Sequence, residues 1–278
     1  MMEAITVNLR KHIDRYQLNI DGVKAWTPYW RDELPTLQSP HPLTGPYKGK
    51  GSPNQIKDYL LAHLNDEVER SEDGIRRFMK QLHLGVDCSG FLYHVLDGLV
   101  QDRLGRRLAD HLYKPRQALI ADFHNPVYTH PPNITLELLQ GQPEQVSLST
   151  IQEFWGNDPV RLAGVHILCS PAATSSVPSV AALHPADLIE LTGSDGIPHC
   201  LLVVQNDGQT ITYAHSGRNQ PSEIGGVEYK TIEITAPQDP IFMQQWSDRQ
   251  VSPQSFGGQP LRRLNVLSKL IESEKDHG

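Results

Sequence analysis

Five short β-branched runs crowd the last third of the chain, and they constrain its fold more than any other feature. They are DLIELT (187–192), HCLLVVQ (199–205), QTITYAH (209–215), EYKTIEIT (228–235) and PLRRLNVL (260–267), each bounded by Gly, Asn, Asp or Pro. The close spacing of the middle three implies an antiparallel meander. Ahead of them the clearest apolar pattern is helical. Phe91, Leu92, Val95, Leu96, Leu99 and Val100 recur at i, i+1, i+4, i+5, i+8 and i+9, which makes one broad apolar face. Helices first and an antiparallel sheet afterwards is the α+β arrangement.

Upstream, Ser52 followed by Pro53 reads as an N-cap with proline at the first helical position, opening NQIKDYLLAHLND. A second helix, EDGIRRFMKQLH, leads toward residue 88. Residues 1–50 pass from a polar amphipathic start through WTPYW to a Pro- and Gly-rich stretch, so they are expected as an irregular extension wrapping the core, with Trp26 and Trp30 as anchors. Residues 51–278 form the main domain. Within it, residues 101–180 are expected as an insertion over one face, holding a helix near LSTIQEFWG, a strand at VHILC and the loop SPAATSSVPS.

Charge and composition then exclude several classes of function. A net charge of −7, with basic residues only scattered or in short pairs, is the wrong surface for nucleic acid. No run approaches the ~20 apolar residues that span a bilayer. The start MMEAITVNLRKHIDRYQLNI lacks the apolar core of a signal peptide, so a cytoplasmic location is expected. Cys88, Cys169 and Cys200 are odd in number and widely spaced, which implies no disulfide framework, and neither CxxC nor HExxH occurs. No metal and no organic cofactor is called for.

Chemistry concentrates at Cys88, inside VDCSGF, where the helical pattern begins. A thiol attacks only as thiolate, and a helix N-terminus favours the anion through its partial positive charge and unpaired N–H groups. On that ground the pKa of Cys88 is expected below the usual ~8.5. Asp87 or Cys88 itself falls at the N-cap. Gly90, one turn in, lets another backbone or a substrate approach.

An imidazole would complete the site, and position must choose among 13 histidines. HCLLVVQNDGQTITYAH reads as a hairpin closed at Asn206-Asp207-Gly208. A three-residue loop sets Gln205 opposite Gln209, residue 202 opposite 212, and His199 opposite His215. The two histidines then share a sheet face, one as base and the other fixing its tautomer. His83 and His94 are expected to be structural, and Cys169 and Cys200 to be core residues, Cys200 facing away from His199.

DCSGF, HPADLIEL and HCLLVV…ITYAH, in that order, resemble the NlpC/P60 family of papain-like cysteine peptidases. The resemblance spans roughly residues 80–216 and implies a papain-like fold with a five- to six-stranded antiparallel sheet. It also implies Cys88 as nucleophile, His199 as base and His215 as orienting residue. Asp87 and Ser89 match positions that hold the substrate's free amine, and Asp187 matches a structural aspartate. The activity implied is amide hydrolysis in cell-wall peptides, with a soluble muropeptide as the substrate. An acyltransferase on the same fold and a catalytically silent binding module stand as alternatives.

Overall fold

The computed structural model describes residues 2–31, 49–124, 133–156, 158–192, 196–217, 225–248, 256 and 259–268. The chain opens with helix α1 (Met2–Asp14) and the hairpin β1 (Gln17–Ile20) and β2 (Val23–Trp26), followed by α2 (Pro53–His63), α3 (Glu72–Gln81) and α4 (Cys88–Leu104). Short elements follow: β3 (Tyr113–Pro115), α5 (Arg116–His124), α6 (Leu136–Gln140), β4 (Gln145–Ser147), α7 (Leu148–Trp155), α8 (Pro159–Leu162), α9 (Val165–Leu168) and β5 (Thr174–Ser176). The rest is strand: β6 (Leu188–Thr192), β7 (Pro198–Asn206), β8 (Thr210–Gly217), β9 (Gly226–Glu233), β10 (Gln245–Trp246) and β11 (Leu261–Leu264).

The α+β architecture is as expected, with a curled antiparallel sheet of seven strands in the order β10-β9-β8-β7-β6-β11-β5. The five expected strands lie at its centre. The strand count exceeds the expected five to six because β5 and β10 are edge strands of three and two residues, too short to show alternation. The sheet is covered on both faces. Leu188, Cys200, Leu202, Val204 and Ala214 join the core under α4, while Ile189, Leu191, Leu201, Val203, Ile211 and Tyr213 fill a second core on the other side. Burial on two faces explains why CLLVV is a continuous apolar run.

Helix α4 is central, and its single broad face widens into burial almost all round through Val100. It packs on α1, on β7 and β8, and on α8 and α9. Each fully buried Leu, Val or Phe along it contributes about 1.5–3 kcal/mol relative to exposure. Ser52 caps α2 in a capping box with Gln55, and Pro53 opens the helix as expected.

Three expectations are corrected. The start of the 1–50 extension is not irregular: Ile5, Leu9, Ile13, Tyr16, Leu18 and Ile20 are buried in the same core as α4. Residues 32–48 of that extension lie outside the described residues. Residues 101–180 do not lie over the domain as a separate layer. Leu108, Leu119, Leu139, Leu148, Ile151 and Val160 share the α4 core, and β5 belongs to the main sheet. VHILC is the helical turn α9 instead of a strand. Val165, Ile167 and Leu168 are buried while His166 is exposed, a packing that a single helical turn allows.

The hairpin register also differs. Asp207 donates its N–H to Thr210 O at 3.2 Å, so the turn is the two residues Gly208 and Gln209. Asp207 Oδ1 secures it by accepting from the amides of Gln209 (2.9 Å) and Thr210 (2.7 Å). A bulge between Val203 and Gln205 then shifts the pairing by one. The tighter turn moves the partner three positions and the bulge takes one back, so Leu202 faces Ala214 instead of residue 212. Beyond the bulge the net displacement is two, an even number, so Leu202, Val203 and the residues before them keep their expected faces, while Gln205 and Asn206 are shifted by three.

Asp187, at the entry to β6, is 1% exposed. It accepts from Arg263 at 2.7 and 2.6 Å and from the His184 amide at 2.7 Å. Burial pushes its carboxyl up, and Arg263 opposes that. Removing the guanidinium strands a buried carboxylate, so Arg263→Ala should cost about 3–5 kcal/mol in urea unfolding. Arg262→Ala, which loses only a 3.8 Å contact to Glu190, should cost within about 1 kcal/mol. Equal effects of the two substitutions would remove the pair from its structural role.

Candidate active site

Asp87, and not Cys88, is the N-cap of α4. Its Oδ1 accepts from Gly90 N at 2.6 Å and from Ser89 Oγ at 3.1 Å. Cys88 is therefore the first helical residue, 8% exposed, at the wall of a cavity of about 360 Å³. Gly90 does admit a backbone. A Cβ there would sit 2.4 Å from Gly49 O and 3.1 Å from Lys50 Cα.

That neighbouring segment brings in a residue the sequence reading missed. Gly49 O accepts the Asp87 amide at 2.8 Å, Lys50 bridges to Val86, and His94 Nε2 holds Lys50 O at 2.9 Å. So anchored, Lys50 sends its Nζ to Asp87 Oδ1 at 3.0 Å and into contact with Ser89 Oγ. Asp87 and Ser89, which the resemblance assigns to a substrate amine, here hold an ammonium of the protein itself. Charge pattern alone could not have found Lys50, because nothing local to it pairs with residue 87.

On the sheet side, Ser216 Oγ donates to Val86 O at 2.6 Å, tying β8 to the entry of α4. The β7–β8 register runs from Leu202 to Asn206, and the start of β7 lies beyond it. There the backbone amide of Cys200 acts on the Cys88 sulfur. The thiol of Cys200 is buried against Cys169, with Sγ atoms 3.5 Å apart, so both are core residues as expected.

His199 and His215 do meet, with Nε2 of the first 3.0 Å from Nδ1 of the second and ring centroids 5.3 Å apart. They are diagonal neighbours, not directly opposed. Continuing the Leu202–Ala214 register sets His199 opposite Gly217. Glycine is required at 217, because a Cβ there would lie 2.6 Å from the His215 ring.

Behind His215 stands Glu228, its cross-strand partner on β9. His215 Nε2 lies 3.1 Å from Glu228 Oε1, an ion-pair distance whose angles fall short of a hydrogen bond. Burial raises the Glu228 carboxyl, but His215 and Lys230 outweigh it and hold it below the usual range. Lys230 continues the chain to Asp248 at 2.9 Å. The donor across the His199–His215 contact is set by the tautomer: with the His215 proton on Nε2, beside Glu228, Nδ1 accepts from His199 Nε2–H. His199 Nδ1 is then left with its lone pair.

The electrostatics reverse one expectation. Burial, reinforced by Asp87, pushes the Cys88 thiol up to about 12, although Lys50 and the amides of Cys200 and Ser89 oppose it. The helix end does not outweigh desolvation. Burial, then His215, lowers His199 to about 3. The pair rests as thiol and neutral imidazole, and among the described residues no hydrogen bond joins them. His199 lies on the face of Leu201 and Val203, so the sulfur meets β7 at the Cys200 backbone.

His83, at φ 56°, stacks on Trp30 at 4.7 Å, and Trp26 meets Tyr229 edge-on at 6.0 Å, so these rings anchor the fold. Among the described residues no group of three His, Cys, Asp or Glu could hold a metal ion, and no helix is long and apolar enough to cross a membrane.

Alkylation of Cys88 by iodoacetamide should keep accelerating above pH ~9 with no plateau near neutrality. Asp87→Asn keeps the cap but removes a charge that raises the thiol. It should speed alkylation at pH ~8 by about tenfold, as a one-unit fall in pKa would. Peptide mass spectrometry with time locates the label; a slower variant would reverse the assigned role of Asp87. No family model matches the chain, and neither does any curated protein or solved structure.

Proposed function

We propose that the protein is a cysteine hydrolase of amide bonds, with Cys88 as nucleophile, His199 as base and His215 as the orienting residue. The observation that carries the reading is the contact chain from Glu228 to His215, at ion-pair distance, and on to His199 by a hydrogen bond. It leaves an imidazole acceptor one residue from the amide that addresses the Cys88 sulfur. Such a relay fixes a tautomer, which a merely buried histidine does not need.

Attack by Cys88 forms the S–C bond as the thiol proton passes by way of one water to His199 Nδ1, because the ring lies on the other face of β7 and does not line the cavity. Because the resting pair is neutral, transfer accompanies attack and the ion pair is not preformed. Gly90 N is taken by Asp87, which leaves the helix-end amides of Cys88 and Ser89 as the donors for an oxyanion. His199 then protonates the leaving amine, and water releases the acyl group. The substrate class supported by the resemblance is a soluble cell-wall peptide. A catalytically silent binding module is the second reading, favoured by the raised thiol and the missing sulfur–imidazole hydrogen bond.

Purified protein with a muropeptide such as L-Ala-γ-D-Glu-diamino acid and with polymeric peptidoglycan, followed by mass spectrometry, tests the reading. Cys88→Ala should abolish turnover, and His199→Ala should lower it about 10²–10⁴-fold. His215→Ala should cost about 10–100-fold, because it removes orientation and not the acceptor. The free peptide should be cut faster than the polymer. Full activity of Cys88→Ala would end the cysteine mechanism, and no cleavage of any amide would leave the binding module.

A further inference from the structure

Resting on the reading of Cys88 as the reacting thiol, we propose that the cavity before it is an anion subsite in which Lys50 and Arg161 receive a carboxylate of the substrate. The chain carries −7 overall, yet among the described residues this cavity is lined by Arg31, Lys50 and Arg161 and by one carboxylate, that of Asp87. Local sign therefore opposes global sign, as it does where a site gathers a charged ligand.

Lys50 has three N–H groups. Two are engaged by Asp87 Oδ1 and Ser89 Oγ, which neutralises the carboxylate and leaves the third for the cavity its side chain lines. A substrate ammonium would meet a like charge there, so the amine grip implied by the resemblance is replaced by its opposite.

Arg161 is the stronger indicator. It stands in the last turn of α8, half-buried, and among the described residues its guanidinium makes no hydrogen bond or ion pair. Burial lowers its pKa, and Asp158 acts on it only at a distance. A cation partly withdrawn from water with no hydrogen-bonded counter-ion among the described residues is better served once an anion arrives. Its planar fork suits a carboxylate. His166, which also lines the cavity, reports the same field: partial burial, then Lys114 and Lys50, lower its pKa.

Iodoacetate and iodoacetamide test this without requiring turnover. Both form the same C–S bond as iodide leaves, and they differ only in carboxylate against amide. The ratio of their rates at Cys88, divided by that ratio for N-acetylcysteine, should be about tenfold or more, equivalent to 1.4 kcal/mol. It should fall toward one in Arg161→Gln and in Lys50→Gln. Taking a ratio cancels any change these substitutions make to the thiol itself. In the unsubstituted protein succinate should slow alkylation by iodoacetamide, and succinamide should not. A ratio equal to the free thiol's, or one unmoved by both substitutions, overturns the subsite. A raised ratio without hydrolysis of any amide would instead overturn the catalytic reading and leave the subsite standing.

Discussion

One carboxylate oxygen, Asp87 Oδ1, holds the amide of Gly90, the hydroxyl of Ser89 and the ammonium of Lys50. The first contact starts the helix at the right residue, and an N-cap of this kind is worth about 1 kcal/mol. The second and third fix the sign of the cavity. Because the carboxylate sits beside the sulfur, it also opposes ionisation of Cys88. Helix geometry, thiol chemistry and cavity charge thus descend from a single acceptor, and Lys50 is the residue that reconciles them.

Local pattern made much of the fold legible. Ser52-Pro53 announced a helix, and β6, β7, β8 and β9 lay within two residues of their β-branched runs, whereas β11 stops three residues before the end of its run, where 265–268 turn helical. Edge strands and one-turn helices escaped, since β10 and α9 span only about one period each, too little for a repeat to show. The burial of α1 escaped for another reason. A sequence shows that a stripe is apolar, not which partner covers it.

The site divides in the same way. The pairing of His199 with His215 survived an error in the turn and an unseen bulge because face depends only on parity. Glu228 was within reach of the same count, as it lies opposite His215. Lys50 and Arg161 were not, because their closeness to Cys88 is set by chain segments far away in sequence. The raised thiol was hidden too, since burial is a property of the whole packing and not of the motif.

The two-sided sheet has a mechanical consequence. Cys88 belongs to the core under α4, whereas the His199 ring lies on the face that carries the second core. The Cys88 sulfur and the His199 ring are therefore registered across the thickness of one strand, not by side chains packed in a shared interior. Compression or loosening of either core displaces one partner and spares the other. Distant volume changes such as Ile232→Val, which touches neither residue, act on alignment before they act on stability.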